Sequence, residues 1–430
     1  MQKSKDMMIN AAAAGLAGAA QSEALAVTRF VQDMGGGGIC TIFGMGLRSS
    51  PVYACLANGL MVRLLDFDDE IPGRGSHPTS LIFPVVMAMA EFNDCSGKQT
   101  LNAFALGCEI TSKLGALLAP QRSLDPLAPH PDGIAGVIGA AAAAGSLLGL
   151  DQVQMWTALG IAGSQAPVDL ASNAGPTTAL DYGQAAMNGV MAALLAQRGM
   201  TVPGQTDFPN WLAGHVAKDE QDPRQDRFFA SLGDPHDVID PGVALRLYPC
   251  AWEAHSSIDA VMELLQQRRI APREAESVTI GVSPDARRAL PFDDPHSPWE
   301  ARHSLNYLVA AALLHGQPLI EQFSPALLAD PAVRQLMGRI TIAADQHTTE
   351  ASPQPASLAV TTGDGREVRQ RVEFARGGPD LPLDPQELDA KFLYCACHVM
   401  TPDHVQGAIE QFRDLENIQH ASGLASILGA

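Results

Sequence analysis

Residues 133–150 read GIAGVIGAAAAAGSLLGL, eighteen positions without a charge. That length just reaches the lower limit for a helix that crosses a bilayer. Alanine and glycine fill most of it, so its transfer into lipid gains little free energy. The segment fits better as the central helix of a large helical core, where small side chains let neighbours come close. Its surroundings agree. Alanine-rich apolar stretches recur at 11–29, 50–65, 82–92, 100–118, 153–164 and 183–198, punctuated by Gly, Pro and Asn. Residues 1–246 therefore read as mainly helical, with no internal repeat.

The texture changes after residue 246. SVTIGVS (277–283), RITIAA (339–344), SLAVTT (357–362) and EVRQRVEF (367–374) alternate like half-buried strands. Asp364-Gly365 between the last two is a hairpin signal. Helices are expected over about 256–268 and in HSLNYLVAAALLHG (303–316). Beyond residue 374 the chain turns helical again. Asp384-Pro385-Gln386-Glu387 is a capping-box start, and Thr401-Pro402 opens a further helix. The expected fold is mainly α with an α+β part. A large all-helical domain (1–246 and 375–430) carries a smaller α+β lid domain (247–374) inserted before the C-terminal helices. A cleft between body and lid is the expected ligand site.

Lys and Arg total 28 against 47 Asp and Glu, a net charge of −19. So acidic a surface repels nucleic acid and anionic membranes, and neither is an expected partner. The seven cysteines form no C-x-x-C pair. Cys395, Cys397 and His398 lack the second half of a zinc site, so no metal is expected and the thiols read as those of a reducing cytosol. The start MQKSKDMMINAAAAGLAGAA has the lysines and apolar run of a signal peptide. An amphipathic alanine-rich helix accounts for it equally well.

GGGG (35–38) and GMG (44–46) do not complete a dinucleotide fingerprint, and no Walker A, G-x-S-x-G or H-E-x-x-H occurs. What remains is polar residues at the ends of apolar runs. In LDFDDEIPGRGSHPTS (65–80), three aspartates and a glutamate precede Arg74 and His77, and Thr79 or Ser80 is placed to cap the next helix. His130 precedes the uncharged helix, Arg246 and Tyr248 flank the domain boundary, and His255 and Tyr307 follow. Taken singly, each has an ordinary reading as a cap, a loop residue or core.

Together they resemble the MmgE/PrpD family. The likeness runs in order through LANGLMVRLLDFDDE…HPTSLIFPVVMAMAE, HPDGIAGVIGAAAAAGSLLGLD, ALDYGQAAMNGVMAALLAQRG, YPCAWEAHSSIDA and PLDPQELDAKF. It implies a homodimer that needs no cofactor and moves a proton next to a carboxylate of a small acid; the cysteine reading adds a cytoplasmic location. That chemistry calls for a base, a cation or hydrogen-bond donor for the carboxylate, and an acid for the leaving group. Carried over position by position, the resemblance implies Asp66, His77, His130 and Tyr307 as catalytic residues. Arg74 is added as a carboxylate clamp.

Departures from the family pattern shape the expected substrate. Thr178 and Arg246 stand where lysines are usual, Glu70 where Thr or Ser is frequent, and Asp132 where Thr is. Arg246 keeps a charge but does not donate a proton near neutral pH. Glu70, Thr178 and Arg246 are expected at the substrate, and the added negative charge disfavours tricarboxylates such as methylcitrate and cis-aconitate. A dehydratase-like lyase is the first reading. An epimerase of a dicarboxylate, suggested by the loop between Asp66 and His77, and a non-catalytic paralogue are the alternatives. The family also usually begins about one helix earlier.

Overall fold

The computed structural model describes residues 1–35, 37–124, 131–165, 175–202, 208, 212, 224–271, 273–345 and 355–429. It divides into two compact units. The first holds Met1–Leu64, Asp68–Val243 and Asp384–Ala430, and the second Leu65–Phe67 with Ala244–Leu383. The second unit therefore takes in Asp66, which the sequence reading left with the helices.

The first unit is helical. Its chain runs through α1 (Gln2–Ala19), α2 (Ser22–Gly35), α3 (Pro51–Arg63), α4 (Pro78–Phe92), α5 (Gly97–Leu124), α6 (Pro131–Leu148), α7 (Gln152–Ser164) and α8 (Pro176–Gln197). Local signals set several starts. Ser50 accepts the Tyr53 N–H ahead of Pro51, and Asp151 forms a capping box with Gln154. The uncharged stretch becomes α6, packed against α4, α5, α7 and α8. Among the described residues no helix is long and apolar enough to cross a membrane.

Small residues set the helix spacing. A Cβ on Gly183 of α8 would lie 2.2 Å from the Leu56 carbonyl oxygen of α3, and one on Gly189 would lie 2.4 Å from the Ala140 Cβ of α6. Gly44 and Gly46, left without a role once the nucleotide fingerprint failed, both have positive φ. They turn a two-stranded hairpin, Cys40–Ile42 with Leu47–Ser49, that the sequence reading did not foresee.

The C-terminal helices Pro385–Ala396 and Pro402–Arg413 return to α1. Lys391 donates to Asn10, whose amide donates to the Asp68 carbonyl. Asp384 closes its expected capping box with Glu387. Replacing Asp384 with Ala is expected to cost about 1 kcal/mol. It would be read as a lower urea midpoint at unchanged m-value.

The second unit is built on a four-stranded sheet in the order Ile340–Ala344, Ala275–Val282, Ala356–Thr362, Glu367–Val372. The first pair is parallel, with Ile280 opposite Ile342, and the others antiparallel. The parallel pair needs a long crossover, and residues 283–339 supply it with short helices. The expected hairpin turns at Gly365, φ 82°. Helices His255–Gln266 and Leu305–His315 pack with the sheet around Ile258, Leu264, Ile280, Leu308, Leu358 and Val360.

In this unit the Asp259 carboxylate is buried. It accepts the Tyr248 hydroxyl at 2.6 Å and the Arg376 N–H at 2.8 Å. Burial outweighs those bonds and pushes its pKa from 3.8 up to about 6. The folded form thus holds the proton more tightly than the unfolded chain. The stabilisation is present below pH 3.8 and is lost as pH rises to about 6. At about 1.4 kcal/mol per pH unit, that window is worth about 3 kcal/mol. Stability curves at pH 4 and 6.5 should differ in that direction from this group, and Asp259→Asn should remove the difference.

Candidate active site

Among the described residues, each unit carries a cluster of acid–base groups that includes residues expected at the site. In the first, the segment after α3 reverses in a tight turn. The Ile71 N–H donates to the Ser76 carbonyl at 2.9 Å, and Gly73 and Gly75 inside the turn have φ of 75° and 59°. Both glycines adopt a region other residues enter at a cost. The turn delivers His77, 8% exposed, to the start of α4 just before Pro78.

Two contacts with described residues hold His77. Its Nδ1 lies 2.7 Å from the Asp69 carbonyl oxygen. A carbonyl only accepts, so Nδ1 carries the hydrogen, and in the neutral imidazole the lone pair is then on Nε2. Its main-chain N–H donates to Asp132 Oδ2 at 3.0 Å, from the first turn of α6. The same Oδ2 accepts the Tyr182 hydroxyl from α8 at 2.8 Å. Burial and the Asp132 charge push the Tyr182 phenol well above its usual pKa, so it stays a neutral donor.

Asp68 and Asp69 of the stretch are engaged by neighbouring side chains. Asp68 pairs with Arg63 at 3.2 Å and accepts the Ser80 hydroxyl. Asp69 accepts both the N–H and the hydroxyl of Thr79. Thr79 and Ser80 therefore do not cap α4. His77 occupies the cap position, without a side-chain cap bond, and the two hydroxyls face back to the aspartates. The Arg63 guanidinium lies 5.2 Å from the Tyr182 ring centroid.

In the second unit Asp66 is 5% exposed and has φ 50°. That left-handed conformation costs about 1 kcal/mol and is least unfavourable for Asp and Asn. Its carboxylate lies 3.5 Å from Arg246 Nη1 and 4.0 Å from His303 Nε2. His303 Nδ1 is 3.1 Å from the Trp299 carbonyl, and its ring lies 4.6 Å from the Trp299 ring. Further along the chain, Tyr248 and Trp252 pack on His255 at 5.0 and 4.8 Å.

The remaining expected residues divide. Arg74 points Nε at Asp237, 3.4 Å away, where Ser112 also donates. Glu70 is buried at 7% exposure, and Thr178 is half-buried in the first turn of α8. Tyr307 is fully enclosed, packs on Phe323 and donates its hydroxyl to the Gln322 carbonyl. It is a core residue here, and burial pushes its phenol up to about 12. His130 lies outside the described residues. Asp132, read from the sequence as a charge facing substrate, accepts the His77 N–H and the Tyr182 hydroxyl. Tyr182, His303 and Arg63 were missed. Only Tyr182 carried a signal, as the polar-tipped aromatic in an otherwise small-residue helix. Among the described residues no group of three or more His, Cys, Asp or Glu is arranged to hold a metal ion.

Residues 1–225 match the model of the MmgE/PrpD N-terminal domain, and residues 248–417 that of the MmgE/PrpD C-terminal domain. The chain belongs to the MmgE/PrpD family. Among curated MmgE/PrpD-like relatives, cis-aconitate decarboxylase of Homo sapiens is 28% identical over 443 residues, covering 100% of this chain and 90% of the relative. Cis-aconitate decarboxylase of Aspergillus terreus is 23% identical, covering 91% and 84%. 2-Methylcitrate dehydratase of Cupriavidus necator is 25% identical over 345 residues, covering 75% and 70%.

Proposed function

We propose that this MmgE/PrpD chain is a cofactor-independent lyase of the hydro-lyase type, acting on a small carboxylic acid. His77 carries the reading. Its tautomer is set by a main-chain carbonyl, its backbone is held by a buried carboxylate, and its Nε2 lone pair is that of a general base. The base takes the proton from the carbon beside the carboxylate, and the C–H pair becomes an enolate-like charge. That pair then forms the C=C bond as the C–O bond breaks, and the leaving hydroxide takes a proton to depart as water. Asp66 and Arg246 enter through the family resemblance, as an acid and a carboxylate-holding cation.

The relatives named as a decarboxylase and a dehydratase support a lyase. Neutral Thr178, where the family pattern has lysine, favours a substrate with fewer carboxylates than cis-aconitate or methylcitrate.

Proton NMR in D2O with malate, citramalate, tartrate, methylcitrate, cis-aconitate and N-substituted aspartates tests this. Vinyl signals with deuterium entering beside a carboxylate are expected for one of the smaller acids. Exchange with inverted configuration and no vinyl product would replace the lyase with an epimerase. Turnover of cis-aconitate or methylcitrate alone would overturn the substrate class.

A further inference from the structure

We propose that Tyr182 is a positioning residue for His77, acting through Asp132. The proposal rests on the reading of His77 as the base and adds to it the device that holds that base in place.

Tyr182 and Asp132 are 4% and 1% exposed. Phenylalanine would fill the same space as Tyr182 without bringing a hydroxyl out of water, and burying a hydroxyl is unfavourable unless it is bonded. Here the bond is made to the one oxygen that also takes the His77 main-chain N–H. The rings of His77 and Tyr182 meet edge-on, centroids 6.1 Å apart. Arg63, fixed by Asp68, lies against the Tyr182 ring. Residues from α3, α6 and α8 thus converge on the entry to α4, and the phenol is the link between α8 and the His77 backbone.

The arrangement has an electrostatic consequence. Among the described residues, the titratable groups that adjoin His77 or its partners include Asp132 on α6, Tyr182 on α8, Arg63 on α3, and Asp68, Asp69 and buried Glu70 before the turn. Arg63 and Ser80 engage Asp68, and Thr79 engages Asp69. Asp132 has Tyr182 and the His77 N–H on one oxygen. Removing the hydroxyl takes a donor from that carboxylate and leaves more of its charge to favour the imidazolium. Replacing the carboxylate with an amide removes the charge and keeps an acceptor for the His77 N–H. The two changes act on the histidine with opposite signs.

The test uses the full chain and the variants Tyr182→Phe and Asp132→Asn. The first readout is nitrogen-15 NMR of the His77 imidazole across pH, which needs no substrate. Tyr182→Phe is expected to raise the His77 titration midpoint and Asp132→Asn to lower it. On an acid that the protein turns over, Tyr182→Phe should lower kcat about tenfold with KM held within about twofold. The acid limb of the pH–rate profile should move to higher pH. Midpoints unchanged in both folded variants, or displaced in the same direction, would overturn the proposal. If no acid is turned over, opposite shifts of the midpoint still establish the positioning role, while the lyase reading fails on its own.

Discussion

His77→Asn is expected to lower kcat by about 10²–10⁴-fold, the usual worth of a positioned general base. Asparagine is the informative replacement. Its amide nitrogen falls near the place of Nδ1 and donates to the Asp69 carbonyl, so the bond that anchors the ring is retained. What disappears is Nε2. The main-chain N–H stays on Asp132, and Pro78 still opens α4. The melting temperature should therefore stay close to the parent value while turnover falls. A folded His77→Asn protein with parental kcat on the acid identified by deuterium exchange would remove His77 from the reaction. A large loss of melting temperature would show instead that the ring's packing against Tyr182 is its main contribution.

The second large effect falls on the core. Gly183→Ala adds one methyl group, and in an ordinary helix that change stabilises by about 0.5–1 kcal/mol through lost freedom of the unfolded chain. At this position the new Cβ would lie 2.2 Å from the Leu56 carbonyl oxygen, a main-chain atom with no rotamer to move to. Gly59 makes the same approach from the other helix, its ideal Cβ 2.8 Å from the Gly183 Cα. α3 and α8 must separate, and a destabilisation of about 3 kcal/mol is expected from overpacking. The separation also moves Arg63 relative to Tyr182, since one ends α3 and the other adjoins Gly183. Gly407→Ala is the control. That glycine lies in helix Pro402–Arg413 with nothing within 4 Å of its ideal Cβ. It should stabilise by a few tenths to about 1 kcal/mol. Opposite signs in urea unfolding are the expected result. Equal small effects would mean that the helices yield without cost.

Much of the architecture is local and was readable before any coordinates. The four strands stand within a few residues of their expected places because alternation over six to eight residues is a property of the segment itself. The box at Asp384 and the turn at Gly365 likewise depend on neighbours two or three positions away. The hairpin at Gly44 was not readable, since three-residue strands carry too few positions to show a period. Family membership was also legible, because motifs spread along the whole chain keep their order whatever the fold does with them.

The sequence by itself determined the helical stretches, the strand segment, the cap at Asp384 and the presence of an Asp-rich stretch ending in His77. It did not determine which acid each group would meet. Tyr182 and Asp132 are 50 residues apart, and Arg246 and Asp66 are 180 apart. No pattern within a window of a few turns distinguishes these partners from Asp68 with Ser80 or Arg74 with Asp237. Tertiary structure made those choices. Buried helices that cross at glycines bring specific turns together, and a polar group shut away from water takes the partner that the crossing supplies.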